Sequence, residues 1–189
     1  MQKSYKLVAL LAGALFLNSG SAMAEEGFWS WLGTGTIDGW RGVGVVPVDS
    51  KQYKDECGSC HFAYQPGLLP TKSWEKLLTA EGLHDHFGEV ADLDKDTLQT
   101  LRDYVLNNAA DKSMHKIAKK ITIATEDGEA PLRITEVRYI KRKHNDIPAK
   151  MVKDNKDVKS LSYCNACHTK AEKGIFKEDT VSIPNYPDY

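Results

Sequence analysis

The sequence predicts a mainly α fold of two small lobes, and three observations carry that prediction. A C-x-x-C-H pattern occurs twice, as "CGSCH" at 57–61 and "CNACH" at 164–168, and it uses all four cysteines. Apolar residues recur at helical spacing, most clearly over 96–108, where Leu98, Leu101 and Val105 share a face with Asn108. The turn-rich stretch "TEDGEAP" (125–131) then interrupts the chain between the two motifs.

The doubled motif has a chemical reason to exist. A disulfide framework does not call for a histidine after each cysteine pair, and a thioredoxin-like dithiol needs a βαβ context that neither flank provides. Zinc sites use C-x-x-C pairs, but usually with the halves much closer in sequence than these. In C-x-x-C-H, the two thiols add to the vinyl groups of a haem as thioethers, and the adjacent histidine becomes an axial ligand. The expectation is two c-type haems, one per cytochrome c-like lobe. They are held by Cys57, Cys60, Cys164 and Cys167, with His61 and His168 as proximal ligands.

Taken from the N-terminus, Lys3 and Lys6 precede an apolar run, Leu7 to Leu17, and Ala22-Met23-Ala24 reads as an A-x-A cleavage site. Residues 1–24 are therefore expected to be a secretory signal peptide cut after Ala24, and the protein to be bacterial and periplasmic. The run is short for a bilayer span of about 20 residues. Residues 25–48 form a Gly/Trp-rich segment with Trp29, Trp31 and Trp40, read as structural packing or a loose extension. The first haem lobe is assigned to 49–120 and the second to 121–189, with the boundary falling somewhere between Asp111 and Pro131.

Within the first lobe, Asp49 or Ser50 caps a helix leading into Cys57, and "SLSYCNAC" repeats that arrangement before the second motif. "QPGLLP" (65–70) is a loop expected to offer a carbonyl to the free ring nitrogen of His61. Ser73 is placed as the cap of "WEKLLTAE", and the 96–108 helix is expected to pack on the first haem helix. Lobes this small depend on their haems for much of their core, so the apoprotein is expected to fold poorly.

The sixth ligands are less directly readable. No His or Met follows His168, so its partner comes from upstream, is Lys170 or Lys173, or is absent. In "RITEVRYIKRKHNDIP", a helix from about Thr135 aligns Val137, Ile140 and His144 on one face, which selects His144. For the first haem, His84, His86, Met114 and His115 are all available, and composition does not choose among them.

Charge is divided along the chain. Residues 25–111 carry 7 Lys/Arg and 15 Asp/Glu, a net of −8, and residues 112–189 carry 16 and 11, a net of +5. An acidic first lobe and a basic second lobe suggest docking to partners of opposite charge. Nothing in this pattern implies nucleic acid.

"YKDECGSCHFAYQPGLLPTKSWEKL", "HFGEVADLD", "YVLNNAAD", "RITEVRYIKRKHNDI" and "CNACH" together resemble the bacterial dihaem cytochromes c from about Tyr53 to His168. The resemblance implies two bis-histidine lobes, with His86 and His144 as distal ligands, and hence an electron carrier. It further implies a small, oxygen-binding monohaem periplasmic cytochrome as acceptor and a membrane b-type cytochrome as donor. A haem enzyme with one open axial position, or an electron-entry subunit of a periplasmic reductase, is the competing reading. Val90 departs from the polar residue expected after "HFGE", and residues 27–48 lie outside the resemblance.

Overall fold

The first described residues, 42–48, form a non-helical segment bent at Val43 and Gly44, whose Val45 and Val48 are buried. The computed structural model describes residues 42–188, all within one structural unit, so the signal-peptide segment and Trp29, Trp31 and Trp40 lie outside the described residues. Helix α1 (Lys51–Cys57) follows, and the Ser50 hydroxyl accepts the Tyr53 N–H at 3.2 Å to satisfy one of its orphan donors. Buried Tyr53 donates its hydroxyl to the Tyr64 carbonyl at 2.7 Å, closing the first motif into a loop.

The "QPGLLP" stretch is buried from Gln65 to Pro70, with a 3₁₀ turn at Pro66–Leu68, and its Pro66 carbonyl accepts the Trp74 indole N–H at 2.8 Å. Helix α2 (Thr71–Leu77) starts two residues before the expected Ser73 cap. Asp111, forty residues away, takes over the capping by accepting the Thr71 N–H at 2.6 Å and its hydroxyl at 2.7 Å. Ser73 is instead buried inside the helix, and its hydroxyl has no partner among the described residues. Helix α3 (Ala80–His84) is capped by Thr79.

Helix α4 (Lys95–Asn107) is the longest described. One Asp94 carboxylate oxygen accepts the N–H groups of Asp96 and Thr97, each at 3.0 Å, and fixes its start. The periodicity read from sequence matches what it buries: Leu101 and Val105 are fully inaccessible. Tyr104 packs on Tyr53 of α1, ring centres 5.4 Å apart, so this helix does lie on the one that leads into the first motif.

Helix α5 (Lys116–Ala124) precedes the turn-rich break, and Arg138 bonds the Ala124 carbonyl and Asp127 across it. A 3₁₀ turn (Ile134–Glu136) leads into α6 (Arg138–His144). Short helices α7 (Ala149–Val152) and α8 (Cys164–Cys167) complete the set. Helix α8 has no side-chain cap, so the arrangement before the first motif is not repeated at the second. Its single turn is instead held by Ala166 N–H to Tyr163 O and His168 N–H to Cys164 O.

The result is mainly α: among the described residues there are three isolated bridge pairs and no named strand. One apolar core runs from Val45 to Tyr139. Met151, Val152, Val158, Ala171 and Ile183 are buried apart from it, around the second motif. No described helix is long and apolar enough to cross a membrane.

Candidate haem-binding sites

Each C-x-x-C-H histidine faces a second imidazole from a distant part of the chain. His61 stands opposite His86 with ring centres 6.3 Å apart and planes 15° from parallel. His168 stands opposite His144 at 6.0 Å, with planes crossing at 70°.

A ring nitrogen about 2 Å from a metal, with roughly 1 Å more to the ring centre, puts two trans imidazole centres ~6 Å apart. Both separations match that spacing.

Local structure fixes how these rings are presented. His144 ends α6, and its Nδ1–H donates to the Ile140 carbonyl one turn back, at 2.8 Å. His61 Nδ1–H donates to the Phe62 carbonyl at 2.8 Å, its own neighbour and not the 65–70 loop expected from sequence. Each bond settles the tautomer and leaves Nε2 with its lone pair free. Within that loop the Pro66 carbonyl is taken by Trp74.

His86 lies at one corner of a tight turn. Phe87 and Gly88 both have positive φ, 62° and 97°, and the His86 and Glu89 backbones bond to each other. Asp85 braces the turn by accepting the Gly88 N–H. Arg133 lies over the Phe87 ring at 4.0 Å, and an open cleft of about 410 Å³ is lined by His86 with Lys76 and Leu132.

Burial favours the neutral form of His86 and His168, the form that binds metal. Burial lowers His168 to about 4, aided by His144. Burial also lowers His86, and His61 and Arg133 add to the effect. His86 Nδ1 and His168 Nδ1 are buried without a hydrogen-bond partner among the described residues.

No two of the four cysteines are joined as a disulfide. Burial pushes Cys57 up to about 11, with Glu56 adding to it, and burial likewise raises Cys164 to about 11. Among the described residues no group of three His, Cys, Asp or Glu side chains could hold a metal ion unaided.

The other sequence candidates stand elsewhere. His84 is exposed and pairs with Asp92 at 3.2 Å. Met114 is partly exposed at the surface. His115 is buried beside Ser113 at the start of α5, and burial lowers its pKa. Of the four residues left open at the first motif, His86 is the one whose ring faces His61.

Tyr64 is a residue the sequence reading passed over. Its ring lies 4.9 Å from His61, and its hydroxyl donates to the Ser162 carbonyl at 2.6 Å, two residues before Cys164. Burial first and Cys164 next push it up to about 12, so it stays a neutral donor. No local pattern marks it, since its partner is 98 residues away.

A helical framework carrying two such motifs, each with a second imidazole facing its histidine, defines a c-type cytochrome with two haems. The profile of the dihaem cytochromes c matches residues 53–176, and the chain belongs to that family. It is similar to the diheme cytochrome c of Shewanella baltica, at 40% identity over 71% of this chain and 93% of that one, with a TM-score of 0.59. The diheme cytochrome c of Rhodobacter sphaeroides is 37% identical over 70% of this chain and 100% of its own, with a TM-score of 0.61. No curated protein matches. The family carries two c-type haems, and four cysteines are present to attach them. The spacing of the paired histidines, with the lowered pKa and unsatisfied ring nitrogens of His86 and His168, fits those haems.

Proposed function

We propose that this protein is an exported electron carrier, with two bis-histidine haems held by His61 with His86 and by His168 with His144. The observation that carries this reading is the pairing of imidazoles across two metal-sized gaps, 6.3 and 6.0 Å. Once attached through the cysteines, a haem supplies a one-electron iron couple with both axial positions filled, which suits electron exchange and not substrate binding.

The chain's own residues do the rest. Phe62 and Ile140 carbonyls orient the two hydrogen-bonded histidines, and burial keeps His86 and His168 unprotonated. Tyr64 supports a short path between the centres, because one side chain touches His61 and bonds the segment that carries Cys164. Partners follow the charge division. A small monohaem cytochrome in the periplasm is the proposed acceptor and a membrane b-type cytochrome the proposed donor, each meeting the lobe of opposite charge.

One observation favours a second reading, a haem enzyme whose first centre opens. His86 sits on an exposed turn with Phe87 at positive φ, beside an open cleft, so its hold is weaker than that of helix-borne His144. The absorption spectrum of the reduced holoprotein, with and without carbon monoxide, separates the two. An unchanged spectrum is expected of the carrier. A shift at one haem transfers the argument to the enzyme.

A further inference from the structure

Residues 42–48 lie before the stretch matched by the family, yet they are bonded to both halves of the molecule. The Gly42 and Gly44 carbonyls accept the N–H groups of Lys116 and Ile117 at 2.9 and 3.1 Å, satisfying two orphan donors at the start of α5. Val45, 2% exposed, packs on Gly67 beside the first centre. Its own N–H then donates to the Gly174 carbonyl at 3.0 Å.

Gly174 closes the turn that starts on the second proximal histidine. The Ala171 N–H donates to the His168 carbonyl at 3.0 Å, and the Gly174 N–H to the Ala171 carbonyl at 2.8 Å. Phe176, just beyond, packs edge-on against the His168 ring at 5.3 Å. A second tie reaches the same turn from the first centre. Gln65 Nε2, buried and four residues past His61, donates to the Ala171 carbonyl at 2.6 Å.

The strap and the turn meet backbone to backbone. A Cβ on Gly44 would stand 1.7 Å from the Gly174 oxygen. A Cβ on Gly174, whose φ is +69°, would stand 2.2 Å from the Val45 oxygen. No rotamer relieves either clash, because both obstacles are main-chain atoms.

We propose that Gly44, through its contact with Gly174 and together with Gln65, is a positioning residue that sets the second haem's placement relative to the first. The inference rests on the electron-carrier reading, in which that placement governs transfer between centres. The strap fixes the 171–174 turn, the turn fixes His168, and neither glycine touches a haem ligand's metal-facing atom. Chain outside the family match thereby tunes the relay that the family match encloses.

Gly44→Ala and Gln65→Met in the full-length holoprotein test this. Gln65 Oε1 is buried without a partner, so the Met variant removes an orphaned oxygen along with the bond and should stay folded where Gly44→Ala does not. Each variant should keep the wild-type absorption spectrum, since all four histidines remain. The Soret circular dichroism, which depends on the relative orientation of the two haems, should change shape. Electron redistribution after rapid one-electron reduction should slow relative to the wild type.

A loss of stability with a wild-type dichroism and rate overturns the proposal and leaves the contact a purely structural one. Should the wild type itself show no redistribution, the carrier reading fails. The dichroism still decides whether the strap positions the haems.

Discussion

The imidazole planes of His144 and His168 cross at 70°, whereas those of His61 and His86 lie within 15° of parallel. An imidazole π system acts on one of the two iron dπ orbitals that point out of the haem plane. Parallel rings act on the same orbital and split the pair. Crossed rings act on both and leave them closely matched. The oxidised holoprotein is therefore expected to show two distinct low-spin signals in electron paramagnetic resonance, one rhombic and one strongly axial. A single signal type for both haems would contradict these ring angles.

Replacing either distal histidine should open one haem and leave the other closed. His86→Ala removes a ring whose backbone is already braced by Asp85 and the His86–Glu89 pairing, so the turn itself should survive. The reduced variant is expected to bind carbon monoxide at the first haem alone, seen as loss of half the six-coordinate spectrum. His144→Ala should do the same at the second haem, with a larger cost in stability. Its Nδ1–H bond to Ile140 holds the end of α6, and losing such a bond costs about 1 kcal/mol. Retention of the wild-type spectrum in His86→Ala, with neighbouring His84 as replacement ligand, would show that the turn moves freely.

Which parts of this were legible in the sequence follows from the range of the interactions. The motif histidines and the α4 face of Leu101 and Val105 are local patterns, and they stand where the sequence put them. Ser50 was readable for the same reason, since a cap acts within one turn. The helix that carries His144 was also readable, but it begins at Arg138, after a 3₁₀ turn at Ile134–Glu136, and not near Thr135, so Val137 lies outside it. Ser73 was misplaced because the actual cap, Asp111, is 40 residues distant and leaves no mark near Thr71. Tyr64 and Gln65 act over 98 and 106 residues, so only the folded chain assigns them partners. The choice of His86 over His84 came from resemblance. Both lie in a single short segment, and only the turn at Phe87 and Gly88 decides which ring faces His61.

The charge division predicts a salt-sensitive encounter at the second haem. Lys170 and Lys173 are exposed, two and five residues beyond His168, and Leu161 and Tyr163 offer exposed apolar surface just before Cys164. An anionic oxidant such as ferricyanide should be steered there, and a cationic cobalt complex should not. Reversing both lysines to Glu should slow ferricyanide about tenfold at low ionic strength, the lower end of electrostatic steering effects. The difference should vanish once salt screens it, the Debye length falling to about 3 Å at 1 M. Equal rates for the two reagents, unaffected by reversal, would remove the charge-steering idea.

The Asp111–Thr71 contact predicts how stability depends on acid. Burial opposes ionisation of Asp111, but the Thr71 hydroxyl and N–H bonds outweigh it, and its pKa is lowered on folding. A carboxylate with a depressed folded pKa contributes stability that is fully present above its unfolded value, about 3.9, and is lost as pH falls through the folded value. Asp111→Ala should therefore destabilise the holoprotein at neutral pH by about 1 kcal/mol, the usual cost of losing a helix cap. That corresponds to a fall in Tm of roughly 3 °C for a chain of this size. Measured by thermal melts across pH, the gap between wild type and variant should stay constant above pH ~5 and close below pH ~4. A gap that persists in acid would mean that Asp111 supports α2 by packing and not by its charge.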